Sequence, residues 1–305
     1  MVDYEILEAT LRHIEPNVPN GKFSVIAESA DGRYFQIKFC EVGGRHNINE
    51  FIAHYVGKEI GAPMIDGAFL ELSDQEIEKV IRFSKTHSGI FRDLDLSISK
   101  GHLFFGVQWE KDTVDIKEES ELMPKVLKTT NKNTFYSLYP FDQFMKNYDR
   151  HLGNHLIVKY ANTMYYRLID FDRLFGQTDW SAIPLLINDF GCLNLKDYHR
   201  FLYSIVKNDG HDHVLRYSYN ISMLHSDAIA DIIQTISQVY TVSQNELDMI
   251  HAWLSGRSRL MYDKCLENND CFVNVKQKRL NVCSSTPDQK VSTYIDTRLS
   301  NTIMP

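Results

Sequence analysis

Between Tyr148 and Phe175 the sequence reads YDRHLGNHLIVKYANTMYYRLIDFDRLF. Asp149 and Asn154 stand five apart in a segment punctuated by Gly153. Two short apolar and aromatic runs follow, His155–Tyr160 and Met164–Asp170, with Ala161-Asn162-Thr163 as a polar break between them. β-branched and aromatic residues flanking such a break predict a β-hairpin. A hairpin returns its two ends to one place, so Asn154 at its start and Asp170 at its finish converge. Asp149, on the preceding loop, can face the same centre. Mg²⁺ is a hard octahedral cation that takes one or two carboxylates together with phosphate oxygens and water. An Asp to orient a hydroxyl and take its proton, with an Asn and a second Asp to hold metal, is the set that phosphoryl transfer from a nucleoside triphosphate requires. The bland alternative is a surface loop rich in Asp, Arg and His. It accounts for D-R-H but not for the hairpin or the I-D-F that closes it.

Upstream elements supply the remaining charge. Lys22–Glu28 and Arg33–Glu41 alternate around Ser29-Ala30-Asp31-Gly32, and D-G is a hairpin-turn signal. Lys38 lies between Ile37 and Phe39 on the second of these strands. A lysine in that setting either snorkels to solvent or grips nucleotide phosphates; the Asp-Asn-Asp set downstream favours the second. Asn47–Ile60 follows, with a helical apolar stripe of Ile48, Phe51, Ile52, Tyr55, Val56 and Ile60 and with Asn47 as its expected N-cap. Glu50, expected in the first turn, either complements the helix dipole or pairs with Lys38. No G-x-G-x-x-G occurs, so phosphate contacts fall to Ser29–Gly32 or to Asn20-Gly21-Lys22. Residues 1–20 read as a lead-in broken by Pro16 and Pro19, Ala68–Leu72 as a strand, QEIEKVIRF as a helix and His102–Trp109 as a strand. An adenine-lining hinge is expected at Val107–Lys111, and residues 113–133 as an exposed connection.

Phe141–Asn147 reads as a short helix that delivers Asp149 and packs through Phe141, Phe144 and Met145. Helical periodicity returns over Lys196–Lys207 and Asp227–Tyr240, where Ser226 is a candidate cap. Ser243-x-x-Glu246 is a capping box opening a helix with Trp253 as a core anchor. His211 and His213 read as an incidental loop pair rather than a metal site. Residues 268–305 are polar, with few apolar anchors.

The 305 residues are 43% hydrophobic and 24% charged, an ordinary globular composition with ample chain for a core. A net charge of −7 argues against broad nucleic-acid or anionic-membrane binding. Five scattered cysteines, without C-x-x-C, suggest reduced thiols and a cytoplasmic setting. The opening MVDYEILEAT lacks the pattern of a signal peptide, and no apolar run approaches the roughly eighteen residues of a membrane span.

DRHLGN followed by LIDFDRLFG resembles the catalytic and metal loops of HipA-like serine/threonine kinases, bacterial toxin-type enzymes distantly related to phosphatidylinositol kinases. NEFIAHYVGKEIGAPM is similar to their N-terminal region. The resemblance implies an α+β, two-lobed protein-kinase-like fold, with residues 1–111 a β-rich nucleotide-binding lobe, 112–267 a mainly helical lobe and 268–305 a tail. It implies Asp149 as catalytic Asp, Asn154 and Asp170 as metal ligands, Lys38 and Glu50 as nucleotide-binding residues, and ATP and Mg²⁺ as cofactors. One departure is Asp172, where a glycine usually follows I-D-F; it salt-bridges Arg150 or Arg173, or sits near a second metal. The implied activity is transfer of the ATP γ-phosphate to a protein Ser/Thr hydroxyl. Self-phosphorylation is expected with it, with Ser24 and Ser29 the first candidates, and a toxin role restrained by an antitoxin partner. A lipid or small-molecule acceptor and a non-catalytic nucleotide-binding module are the alternatives.

Overall fold

The computed structural model describes residues 4–17, 22–86, 94–176, 179–190 and 210–267. The expected helix at Lys196–Lys207, the segment 268–305 and the Asn20-Gly21 pair lie outside them. No helix of the described residues is long and apolar enough to cross a membrane.

Five strands close into a barrel: β1 (Ile6–Asn17), β2 (Lys22–Ser29), β3 (Tyr34–Phe39), β4 (Gly67–Leu72) and β5 (Leu103–Gln108), in the order β1-β2-β3-β5-β4. Alternation decides what fills it. Phe23, Val25 and Ala27 of β2 and Phe35, Ile37 and Phe39 of β3 join Ala68, Leu70 and Phe104 in one buried cluster. The intervening residues Ser24, Gln36 and Lys38 therefore share the opposite face, with Ser24 paired to Lys38. Gly32, at φ +83°, makes the β2–β3 turn in the left-handed region that other residues resist. The opening segment is a strand rather than a lead-in. It pairs antiparallel with β2, with an irregularity between Leu11 and His13, and parallel with β4. Its alternation is broken by that irregularity, and its second partner lies some sixty residues away, so local sequence does not reveal it.

Helix α1 (His46–Glu59) covers the barrel, and Phe69 and Phe105 turn outward to meet its Phe51 and Ile48 in a second, larger core. Asn47 is not the cap. Arg45 holds that position, and Asn47, 1% exposed, lies within the first turn as a staple. Its Nδ2 donates to the carbonyls of Phe105 (2.7 Å) and Lys38 (3.1 Å), while its Oδ1 accepts from the Phe105 N–H (2.9 Å) and the Tyr240 hydroxyl (2.7 Å). One side chain thus fixes α1 to β3, β5 and the C-terminal helices. α2 (Asp74–Thr86) packs Ile77 and Val80 against the barrel core.

Beyond β5 the chain is mainly helical. Residues 113–133, expected as an exposed connection, contain α3 (Glu119–Val126), which buries Leu122, Met123 and Val126. Pro124 and the surrounding charges conceal a stripe of only three apolar residues. α4 (Leu138–Met145) is buried along its length and ends at Lys146, in the left-handed conformation (φ +49°), which turns the chain toward Asp149. The predicted hairpin forms from β6 (His155–Tyr160) and β7 (Thr163–Leu168), two residues shorter at its end than expected. α5 (Ile183–Leu186), α6 (His211–Ser222), α7 (Ser226–Val239) and α8 (Gln244–Glu267) complete the fold. His211 and His213 open α6 rather than a loop, and the His213 ring stacks on Tyr136 at 5.2 Å. Ser226 begins α7 while His225 occupies its cap position. The capping box at α8 forms: the Ser243 N–H donates to Glu246 Oε2 (2.9 Å), and the Glu246 N–H donates to Ser243 Oγ (3.3 Å).

From α8, Trp253 and Arg257 reach back to the C-terminal end of α4, both fully buried. Arg257 donates to the carbonyls of Gln143 and Phe144, to that of Leu186 at the end of α5, and to those of Ile187 and Asp189 just beyond it. Its guanidinium packs over the rings of Phe190 (4.0 Å) and Trp253 (4.6 Å). The Phe144 carbonyl takes its donors from Arg257 and from Trp253 Nε1 (3.2 Å), whereas the Gln143 and Leu186 carbonyls are shared with the N–H groups of Lys146 (3.4 Å) and Asp189 (2.9 Å), so the arginine adds donors where the chain leaves its short helices. Burial lowers its pKa to about 10, and it remains protonated at neutral pH.

Asn47→Leu leaves the Phe105 peptide and the Tyr240 hydroxyl buried without partners, at roughly 1–3 kcal/mol for each unsatisfied group. Urea denaturation is expected to show a loss of about 3 kcal/mol or more with an unchanged m-value; a loss within about 0.5 kcal/mol would refute the staple.

Candidate active site

Between the barrel and the β6–β7 hairpin lies a cleft of about 330 Å³, whose walls include Ser24, Gln36, Lys38, Glu50, Trp109 and Asp170. A larger depression, about 630 Å³, lies between Glu8, Glu28, Ser29 and Glu71; it is lined by none of Lys38, Glu50, Asp149, Asn154 and Asp170. The smaller cleft is where the chemistry-bearing groups meet.

Lys38, outward on β3, places its Nζ 2.5 Å from Glu50 Oε1 and 2.6 Å from Asp170 Oδ1. The strand, α1 and the end of the hairpin, 132 residues downstream of Lys38, thereby share one ammonium. Glu50 is the fifth residue of α1, beyond the first turn where a dipole role would place it, and is 3% exposed. The same Oε1 accepts the Phe171 N–H at 2.9 Å. Asn49 Nδ2 donates to the Asp172 carbonyl (2.9 Å), and Trp180 Nε1 donates to Asn49 Oδ1 (2.8 Å). Consecutive residues of α1 therefore clamp the segment that follows Asp170. Asp170 itself has φ +62°, a region that Asp tolerates better than most residues.

Asp149 is fixed from behind. Its N–H donates to Asn147 Oδ1 (3.1 Å), and Arg173 Nε lies 3.5 Å from its Oδ2. Asn147 Nδ2 in turn donates to Asp142 Oδ1 (3.1 Å). Arg150 binds Asp142 in bidentate fashion (2.8 and 2.9 Å) and also donates to the carbonyls of Asn154 (3.1 Å) and Ile169 (3.0 Å). Both charged side chains of this pair are fully buried. The guanidinium ties α4 to the two ends of the hairpin, and so sets the spacing between Asp149, Asn154 and Asp170. Of the two arginines expected as partners for Asp172, Arg150 pairs with Asp142 and Arg173 lies beside Asp149. Asp172, 1% exposed, instead lies with Oδ2 4.0 Å from Lys38 Nζ.

Asn154 is fully buried, and its Nδ2 donates to the carbonyls of Asp149 (3.0 Å) and Asp170 (3.4 Å). That orientation leaves Oδ1 as a buried acceptor with no donor among the described residues. A buried oxygen without a donor suits a cation. Among the described residues no group of three or more His, Cys, Asp or Glu side chains is arranged to hold a metal alone. One amide oxygen and one carboxylate, with the remaining positions left to phosphate and water, is a donor set that fits Mg²⁺.

The titration of Lys38 and Glu50 reflects the crowding of carboxyl groups. Burial alone draws the pKa of Lys38 down, but Asp170, Glu50 and Asp172 outweigh it and hold that pKa well above the ordinary lysine value. Burial raises Glu50; Lys38 opposes this, and Asp170 and Asp172 add to it, so its carboxyl titrates above the usual range. Three carboxyl groups surround one ammonium.

The expected hinge borders the cleft through Val107–Glu110. Two of its backbone donors are already engaged, Gln108 N–H by the Asp66 carbonyl and Trp109 N–H by Tyr34, both at 2.7 Å. Of the candidate phosphate-side segments, Ser29–Gly32 lies at the far end of the strands beside the larger depression. Ser24, opposite Lys38, accepts from Gln36 Nε2 (3.1 Å) within the cleft. Asp142, Arg150, Asn49 and Trp180 were not legible as site-forming residues. The one local signal was that FDQFMKNYDR sets an Asp, an Asn and an Arg beside Asp149.

A sequence profile described as HipA-like kinase matches residues 21–183. No curated protein matches. Among solved structures, the Helicobacter pylori proinflammatory kinase CtkA is similar over 87% of this chain and 100% of its own, at 12% identity and a TM-score of 0.51. HipA of Shewanella oneidensis MR-1, solved with HipB and its operator DNA, is similar over 88% of this chain and 66% of its own, at 10% identity and a TM-score of 0.44.

Arg150→Lys removes a bidentate, buried contact that lysine cannot reproduce. A loss of about 3 kcal/mol is expected from breaking the pair, together with faster amide hydrogen exchange across Asn154–Ile169. Wild-type stability and exchange in the variant would show that the guanidinium does not brace the loops.

Proposed function

The chain belongs to the HipA-like kinase family, and from that premise we propose that it transfers the γ-phosphate of ATP to a Ser or Thr hydroxyl of a protein. The observation that carries this reading is the convergence of Lys38, Glu50 and Asp170 on one cleft, with buried Asn154 bonded to the carbonyls of both Asp149 and Asp170. In this reading the barrel with α1 forms one lobe and the helices the other, with the cleft between them. Bound MgATP supplies the electrophilic phosphorus and neutralises charge as the transferred group departs. Lys38, steadied by Glu50, positions the phosphates; Asn154 Oδ1 and the Asp170 carboxylate would hold the metal. Asp149 accepts a hydrogen bond from the attacking hydroxyl, aligns it and takes its proton. Asn147 holds the Asp149 backbone N–H and Arg150 braces the surrounding loop, so catalysis rests mainly on positioning and charge.

Self-phosphorylation belongs to the proposal. Ser24 is the acceptor that the cleft supports, because its hydroxyl lies among the lining residues, whereas Ser29 donates to Asp31 and to the Arg33 carbonyl at the other end of the barrel. A cytoplasmic toxin role with an antitoxin partner rests on family membership alone. Its test is induced expression in a bacterial host: growth arrest by the wild type but not by Asp149→Ala supports it, and equal growth removes it.

Purified protein incubated with Mg²⁺ and γ-labelled ATP, then weighed intact and mapped by phosphopeptide analysis, tests the chemistry. Wild type is expected to gain phosphate or to label an added protein substrate. Asp149→Ala is expected to retain ATP binding and to transfer about 10²–10⁴-fold more slowly. Equal rates in the two proteins would remove Asp149 from the mechanism.

A further inference from the structure

Asp172 is the acidic side chain of the site for which the transfer reaction provides no role. Its carboxylate is almost wholly buried, 4.0 Å from the Lys38 ammonium, which already contacts Glu50 and Asp170. Its backbone cannot swing away, since Asn49, itself bonded to Trp180, holds the Asp172 carbonyl, and Glu50 holds the preceding N–H. The carboxylate is therefore built into the cleft wall. Counting formal charge, one ammonium faces three carboxyl groups, and the balance stays negative even with a proton on Glu50. Bonded to the Asp170 carbonyl, Asn154 presents a fully buried Oδ1 that no group among the described residues satisfies. A triphosphate brought into these surroundings meets repulsion from Asp170 and Asp172 that Lys38 alone does not offset.

We propose that Asp172 makes nucleotide binding conditional on a divalent cation, so that the triphosphate is accepted with its metal and rejected without it. The inference rests on the kinase reading and extends it: Asp172 is a positioning and selectivity residue that acts through the charge of the pocket. A unit charge several ångströms from the phosphates, at the effective dielectric of a partly buried site, changes affinity by more than about tenfold. Glycine at this position would leave the pocket one negative charge poorer and less demanding of metal.

The test is ATP affinity measured by calorimetry in Mg²⁺ and in EDTA, for wild type, Asp172→Asn and Asp172→Gly, with thermal unfolding of each protein alongside. Wild type is expected to bind ATP at least about a hundredfold more weakly in EDTA. In both variants that ratio is expected to shrink by about tenfold or more, chiefly because affinity in EDTA improves. Parallel loss of affinity in both media would make Asp172 a support for Lys38 and nothing more, overturning the proposal. The wild-type arm stands alone if a variant does not fold: equal affinity in Mg²⁺ and EDTA refutes the proposal outright. Absence of ATP binding in every arm would overturn the kinase reading along with it, a result distinct from binding that ignores metal.

Discussion

One ammonium group organises this protein. Lys38 is in contact with a carboxylate from α1 and another from the end of the hairpin, so three elements far apart in sequence must be correctly placed together. An ion pair in such surroundings is a poor source of net stability, because desolvation offsets much of the attraction. Its effect is to penalise arrangements in which any partner is misplaced, since a buried charge left alone is strongly unfavourable. The neighbouring contacts follow from that constraint. Asn47 sets α1 against β3 and β5, Glu50 also receives the Phe171 N–H, and Asn49 secures the Asp172 carbonyl.

The second constraint is the supply of hydrogen-bond donors to carbonyls at the ends of short helices and strands. Arg150 and Arg257 both meet it with buried guanidinium groups, which carry several donors in a fixed plane. Arg150 works between the hairpin ends beside the reactive groups. Arg257 works behind α4, on the carbonyls immediately before the turn at Lys146 that leads to Asp149. The loop that carries Asp149 is thus held from both sides, and neither arginine lines the cleft.

What the sequence revealed follows the range of the interactions. Asp149, Asn154 and Asp170 were legible because a hairpin brings its own ends together whatever surrounds it. Lys38 and Glu50 were legible through strand alternation and a helical stripe, with the geometric pairing between them then appearing in the structure. The bracing residues were not. Asp142 and Asn49 look like ordinary helix polar residues until their partners across the fold are known, and Arg150 seemed equally able to serve Asp172. Asn47 has the composition of a cap but is enclosed on every side, which only tertiary packing determines. The strand at Ile6–Asn17 depends on a parallel partner in β4, and α3 is held by three apolar residues in a charged segment that contains Pro124. Local pattern does not encode either.

Arg257 and Trp253 have a consequence for where this protein can be divided. The segment shared with HipA-like kinases, residues 21–183, contains every group assigned to the cleft. It does not contain the two donors to the Phe144 carbonyl, the Arg257 contact to Gln143, or Tyr240, which completes the Asn47 staple. A fragment ending at that boundary would carry the full candidate site on a backbone that had lost both side-chain donors to the Phe144 carbonyl. The smallest autonomous unit therefore extends through most of α8, and the homologous segment is shorter than the cooperative one.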